Sequence, residues 1–375
     1  MEGAVAVSAS VTVRDIEQAV ARRFPTEWAE EWDRVGLLAG DPERTVTGVV
    51  LALDPTPAAV KRAAELGANV VLTHHPAFLK TPNWLTPGRG SAGVLFAALD
   101  CGVALVNAHT NLDRAPAAGE LLPRALGLAP VKPIERSLMP MVLVTVFAPP
   151  THAEQIVSAM AGAGAGRLGD YTGASFTSAP GTGTFTAGQD TAPFAGEPGT
   201  SSSAGEVRIE MVAPRERARG VVGAARGAHP YEEPLITCAA VEIARSSARM
   251  GMLSRADNAL TLRALAALAA GTFNITPRVW GDPDATVTRV ATATGSAGSL
   301  IGDVLACGAQ ALVAGEVRYH DALDATEAGL AIVELGHDVS EWPLVGLLKE
   351  AILALPSLDP AIVHELPAVP GWWTP

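Results

Sequence analysis

The chain has 375 residues, which at about 150 residues per domain predicts two or three domains with ample material for real cores and excludes a small stapled scaffold. Apolar residues make up 48%, charged residues 18% and aromatics only 5%, the balance of a globular chain whose cores are aliphatic. Lys plus Arg number 27 against 39 Asp plus Glu, and the net charge of -12 repels polyphosphate backbones, so nucleic acid is not the expected partner.

In chain order, Glu2 stands where a signal peptide needs positive charge, and no apolar run approaches the roughly 18 residues needed to span a bilayer. From Val46, TGVVLALD, PTPAAVKRAAELGA and NVVLTHHP read as strand, helix and strand, with Pro57 starting the helix and Gly67 closing it. That is a βαβ unit, which implies a parallel sheet. A further aliphatic strand, GVALVNAHTNLD, begins at Gly102.

Next, PMVLVTVFAPP reads as a strand before the helical HAEQIVSAMAGAG, and EVRIEMVAP as a strand before the helical RERARGVVGAARGAHP, with LITCAAVE as another strand. Between these pairs, GAGAGRLGDYTG reads as a mobile turn, and residues 177–205, dense in Gly, Ser, Thr and Pro, as an exposed loop without a core. The expected organisation is an α+β domain at 132–245 inserted between 1–131 and 246–375, two halves of one α/β domain. A helical stretch, ADNALTLRALAALAAGTF, leads back into the second half. Cys101, Cys238 and Cys307 are far apart and odd in number, which suggests no disulfide framework or thiolate metal site and a reducing, cytoplasmic setting.

The second half repeats the first. VTRVATAT, GSAGSLIGDVLACGA and QALVAGEVRYH align without gaps at an offset of 241, so that Val46 meets Val287, Gly67 meets Gly308 and Leu72 meets Val313. His74 and His75 then fall opposite Gly315 and Glu316. At an offset of 228, HTNLD meets HDVSE, His109 meeting His337 and Asp113 meeting Glu341. The fold class is therefore α/β, a duplicated core whose polar strand ends converge as ligand sites do in open α/β sheets.

Adjacent side chains on a strand face opposite ways, so His74 and His75 serve one site only where their strand ends. A His pair alone reads equally as a capped strand end. Glu341 near a helix start could be a cap, and Pro343 limits the next segment to a loop or a first helical turn. Together, His74, His75, Asp113, His337 and Glu341 offer three imidazoles and two carboxylates, a set suited to Zn, Mn, Fe or Co and generous for one ion. Two ions need a bridging carboxylate, for which Asp113 and Glu341 are the candidates. His109 is either a proton carrier or a group that orients a ligand, a strand-end His bonded to backbone being the bland alternative; His320 poses the same choice and ranks lower.

The segments WDRVGLLAGDP, VVLALDPTP, ANVVLTHHPAF, NAHTNLDRAP, AGEVRYHDALDA and ELGHDVSEWP resemble, in content and order, the GTP cyclohydrolase 1 type 2 homolog family of NGG-interacting-factor-three-like dinuclear metal proteins. The middle segment, with HPYEEP at His229–Pro234, resembles CutA and PII-like domains. The resemblance implies two divalent metal ions per subunit on His74, His75, Asp113, His337 and Glu341, and a homohexamer. It also implies a hydrolase in which water activated by the ions attacks a small nucleotide or phosphorylated substrate. A metal-binding regulatory or metal-handling hexamer without turnover is the alternative. The chain departs from many relatives at Ala118-Gly119-Glu120, beside the expected site.

Overall fold

A computed structural model describes residues 10–30, 32–88, 90–136, 138–169, 171–244 and 248–367. The chain divides into two compact units, one formed by the chain up to Arg136 with the chain from Ser247, the other by Ser137–Ser246. The whole is mixed α/β.

The first unit holds two sheets. In one, Gly36–Ala39, Ala104–Asn107, Val70–Thr73, Val49–Ala52 and Val363–Glu365 lie in that order; in the other, Arg278–Trp280, Ala331–Glu334, Ala311–Glu316, Thr286–Ser296, Met252–Thr261 and Ala129–Pro133. Each has three central parallel strands. Their continuous apolar runs suit strands covered on both faces, and VVLA and VVLT are buried throughout. The helix between them is Pro57–Glu65, capped by Thr56, whose hydroxyl accepts from Ala59 N, and it gives way to Gly67 at φ +72, a conformation glycine adopts freely.

The duplication extends to register. Val49 pairs with Val70 and Val290 with Ala311, the same positions at the 241 offset. On the third strand the offset is 227, because Val70 pairs with Ala104 and Ala311 with Ala331. His109 therefore corresponds to Gly336, not His337: each caps the helix next in the chain. The 228 spacing match is one residue out of step with the backbone.

Each half also contributes to the other's sheet. Ala129–Pro133 pairs antiparallel with Met252–Arg255, and Val363–Glu365 runs parallel to Val49–Leu51. Strand Ala129–Pro133, which a boundary at 131/132 would cut, thus belongs whole to the first unit.

Two local expectations change. Ala256–Thr261 is the end of a strand, not helix; Leu260 and Thr261 pair with Val287 and Thr286, and the helix starts at Leu262. Thr261, whose hydroxyl accepts from Ala264 N, is the cap that marks the change. Pro343 does not end its helix, which runs His337–Leu353. A proline there forgoes the bond to the Val339 carbonyl, at about 3 kcal/mol. Leu344, Val345, Leu348 and Ile352 offset this by packing into one core with Val49, Leu51, Leu72 and Leu112, each worth about 1.5–3 kcal/mol when fully buried.

In the second unit the sheet order is Ile236–Ala244, Leu138–Ala148, Ser201–Ala213, Phe176–Thr177, all antiparallel. Helices Ala153–Gly162 and Ala218–Ala228 cover one face: Val144, Val146, Val207, Ile209 and Met211 pack there with Ile156, Met160 and Val221. This is a split βαβ arrangement of the α+β class. The segment expected as an unstructured loop, 177–205, contains strand Gly181–Thr186, paired with Ser201–Glu206. Its Gly-Thr-Gly-Thr-Phe-Thr alternation is a period-2 signal hidden under a turn-like composition.

Cys101, Cys238 and Cys307 are free. Among the described residues no helix is long and apolar enough to cross a membrane.

Candidate metal centre

Strand Val70–Thr73 stops one residue before His74, where the chain bends toward Pro76, so the two consecutive imidazoles face one another, with ring centroids 5.0 Å apart. Asp113 ends the short helix Thr110–Asp113 after strand Ala104–Asn107. His337 and Glu341, one helical turn apart, open helix His337–Leu353, and the i,i+4 spacing puts both on one face.

Their ligand atoms converge in two groups, His74 with Asp113 and Glu341, and His75 with His337 and Glu341. Glu341 Oε1 lies 3.7 Å from His74 Nε2, which is 3.7 Å from Asp113 Oδ2. Glu341 Oε2 lies 2.9 Å from His75 Nε2 and 3.1 Å from His337 Nε2. Of the two candidate bridging carboxylates, Glu341 alone belongs to both groups, with one oxygen toward each.

A divalent ion fits this donor set. His74 Nε2 and Glu341 Oε2 are buried and make no hydrogen bond, a costly state for polar atoms unless a ligand completes them. Every imidazole also has an acceptor at Nδ1: the Ala108 carbonyl for His74, Asp54 for His75, Glu316 for His337 and Asp33 for His109, at 2.8–3.2 Å. A proton held at Nδ1 aims the Nε2 lone pair inward, as the outer shell of metal-binding histidines does. The structure places a carboxylate or carbonyl behind each ring.

The clustered side chains shift one another's protonation. Burial pushes His74 toward neutrality, but Asp113 and Glu341 outweigh it and raise its pKa. Burial likewise opposes, and Asp54 and Glu341 overcome, a rise of His75 to about 10. His337 is pushed up to about 9, chiefly by the Glu341 carboxylate 3.1 Å from its Nε2. Burial raises Asp113, whereas Glu341, despite burial, is held well below the carboxylate range by the three imidazoles. A cation held here would compete with the imidazole protons.

Backbone shape completes the cradle. Gly295, at φ +59, closes on the pair: a Cβ there would overlap Glu341 Oε1 and lie 3.5 Å from His337 Cε1. Ser340 Oγ accepts from Gly295 N at 2.9 Å and donates to the His337 carbonyl at 2.8 Å, pinning this loop to the helix start. Gly295→Ala should lower metal affinity about 10–100-fold while costing the fold about 1 kcal/mol. Competition against a chromogenic chelator, alongside a melting curve, measures both.

His109 joins His74 and His75 in a third group of close ligand atoms. Its ring is 5.2 Å from His74 and 5.7 Å from His75. His320 is exposed on helix Tyr319–Glu327, stacks edge-on with Tyr319 and belongs to none of these groups. Sequence reading missed Asp33, Asp54, Thr294, whose hydroxyl donates to Asp113 at 2.8 Å, and Gly295. Asp54 had a signal: a carboxylate ending a strand beside another that ends in His.

These elements and this donor cluster define an α/β protein able to hold metal. The Duf34/NIF3 (NGG1p interacting factor 3) family model matches residues 11–362, and the chain belongs to that family. A Mycobacterium tuberculosis protein named "GTP cyclohydrolase 1 type 2 homolog" is 32% identical over 351 residues, 92% of each chain. A Bacillus subtilis protein of the same name is 29% identical over 331 residues, 88% of each. The structure of a Bacillus cereus protein related to NIF3 is similar with a TM-score of 0.64 and 30% identity, covering 98% of this chain and 100% of that one.

Proposed function

We propose that the chain is a dinuclear-metal-dependent hydrolase acting on a small nucleotide or phosphorylated substrate. The observation that carries this is Glu341, which turns one carboxylate oxygen toward each of two ligand groups. His74, Asp113 and Glu341 would hold one ion, and His75, His337 and Glu341 the other, drawn from Zn, Mn, Fe or Co. Two such ions would lower the pKa of water and stabilise negative charge developing on the substrate.

The chain's own groups do the remaining work. His109, with Nδ1 held by Asp33 at 2.8 Å, presents Nε2 beside the donor cluster and moves the proton between water and leaving group. Asp54 and Glu316 keep His75 and His337 in the tautomer that faces inward. The names carried by the relatives support a nucleotide-like substrate, and light scattering tests the homohexamer expected from the sequence resemblance.

The test is product formation from GTP and a panel of nucleotides and phosphoesters with matched metal loading, comparing the wild type with His337→Ala. Turnover that disappears in the variant is expected and identifies the substrate class. No turnover in either protein at full metal occupancy overturns the hydrolase reading in favour of a regulatory or metal-handling assembly.

A further inference from the structure

The HPYEEP segment at His229–Pro234 has no part in the metal centre, yet within Ser137–Ser246 it helps wall a cavity of about 780 Å3, inside the range of small-molecule sites, about 300–1,000 Å3. The cavity lies over the face of the sheet that the helices leave open. Phe147 and Arg208 are cross-strand neighbours alternating with the buried Val146, Ala148, Val207 and Ile209, and both line it. The roof is the 178–195 segment, whose strand Gly181–Thr186 continues the sheet.

Three features define what the cavity suits. Its aromatic wall is braced: Phe194 and Tyr231 have ring centroids 5.8 Å apart, His152 meets Phe194 edge-on at 5.4 Å, and Tyr231 packs at 4.8 Å on His229, whose Nε2 donates to the Phe147 carbonyl at 2.8 Å. Its charge is negative, with Glu206, Glu232 and Glu233 against Arg208. Glu233 is paired with Arg226, and Arg208 lies 3.4 Å from Glu210, which leaves Glu206 without an ion-pair partner among the described residues. Gly183 makes room for that carboxylate, since a Cβ there would overlap it. Third, the Tyr231 hydroxyl is buried with no hydrogen bond recorded for it and faces the Glu206 carboxylate; burial and that carboxylate hold its phenol up at about 12, so it stays neutral.

We propose that this cavity binds an organic cation, an ammonium carried on an apolar or aromatic body, with the charge against Glu206 and the body against Phe147, Phe194 and Tyr231. Aromatic faces and an uncompensated carboxylate both favour a cation, and the Tyr231 oxygen accepts a hydrogen bond from it. All of its lining residues lie within Ser137–Ser246.

The experiment is calorimetric titration of the full chain with 2-phenylethylamine, 2-phenylethanol and 3-phenylpropionate, which share a ring and differ in charge. The amine is expected to saturate one site per chain, with the alcohol and the carboxylate at least tenfold weaker. Glu206→Gln should weaken the amine at least tenfold and leave the alcohol unchanged. Arg208→Gln should tighten the amine several-fold, a gain that misfolding does not imitate. No saturable amine binding, equal binding of amine and alcohol, preference for the carboxylate, or indifference to both substitutions overturns the proposal.

Discussion

Glu341→Gln should reduce metal binding more than any other single substitution, by well over about 100-fold, the upper end of the cost of losing only an outer-shell partner. The carboxylate is 3% exposed and faces three imidazoles at once, so its neutral amide removes the negative charge common to both ligand groups. Adding metal stabilises a chain that binds it only when folded, by about 2.7 kcal/mol at a hundredfold excess over Kd. The wild type should therefore melt several degrees higher with Zn or Mn, and the variant should not respond. Metal-free, the variant should stay folded by circular dichroism, because the helix carrying residue 341 is anchored by Leu344, Val345 and Leu348. An unchanged metal-dependent melting shift would remove Glu341 from the site.

Asp33→Ala should be the most destabilising substitution around the cluster, at about 3–5 kcal/mol, the range for stripping one partner from a buried charged network. The carboxylate accepts from Thr110 N, Thr110 Oγ1, Arg34 N and His109 Nδ1, and its side chain is fully buried. Burial would raise its pKa, but His109 and Thr110 outweigh that and bring it from 3.8 to about 2. A pKa depressed on folding gives stability that is complete above the unfolded value and is lost as pH falls from about 4 to about 2. The amount is about 1–2 kcal/mol after allowing for solvent screening. Urea unfolding of the metal-free chain at pH 7, 4 and 2.5 should show this loss in the wild type and a shallower one in Asp33→Asn. Equal slopes for the two would exclude the carboxylate as its source.

The parts legible in the sequence were those with local grammar. Pro57 and Gly67 bracket a helix, the Val-rich runs on either side are buried strands, and the 241-residue repeat carries the strand register itself. The five clustered side chains were legible because each lies just beyond an aliphatic strand. The groups behind them were not, since Asp33 meets His109 across 76 positions and Thr294 meets Asp113 across 181, distances that no periodicity spans. Pro343 misled for the opposite reason: its local signal is real, and the packing of its helix overrides it. Strand Gly181–Thr186 was missed because a turn-like composition hides its own period-2 alternation.

The exchange of strands between the halves bears on the order in which the chain is made. Residues 49–52 cannot complete their sheet until residues 363–365 leave the ribosome, and the inserted unit adds little to that closure, since each doubling of a connecting loop costs only about 0.6 kcal/mol. Pairing across so great a separation is slow to nucleate. His74, His75 and Asp113 must therefore be synthesised long before His337 and Glu341 arrive. A nascent chain can offer a cation only part of the cluster, and the full donor set exists only once His337 and Glu341 have been made and the sheet has closed.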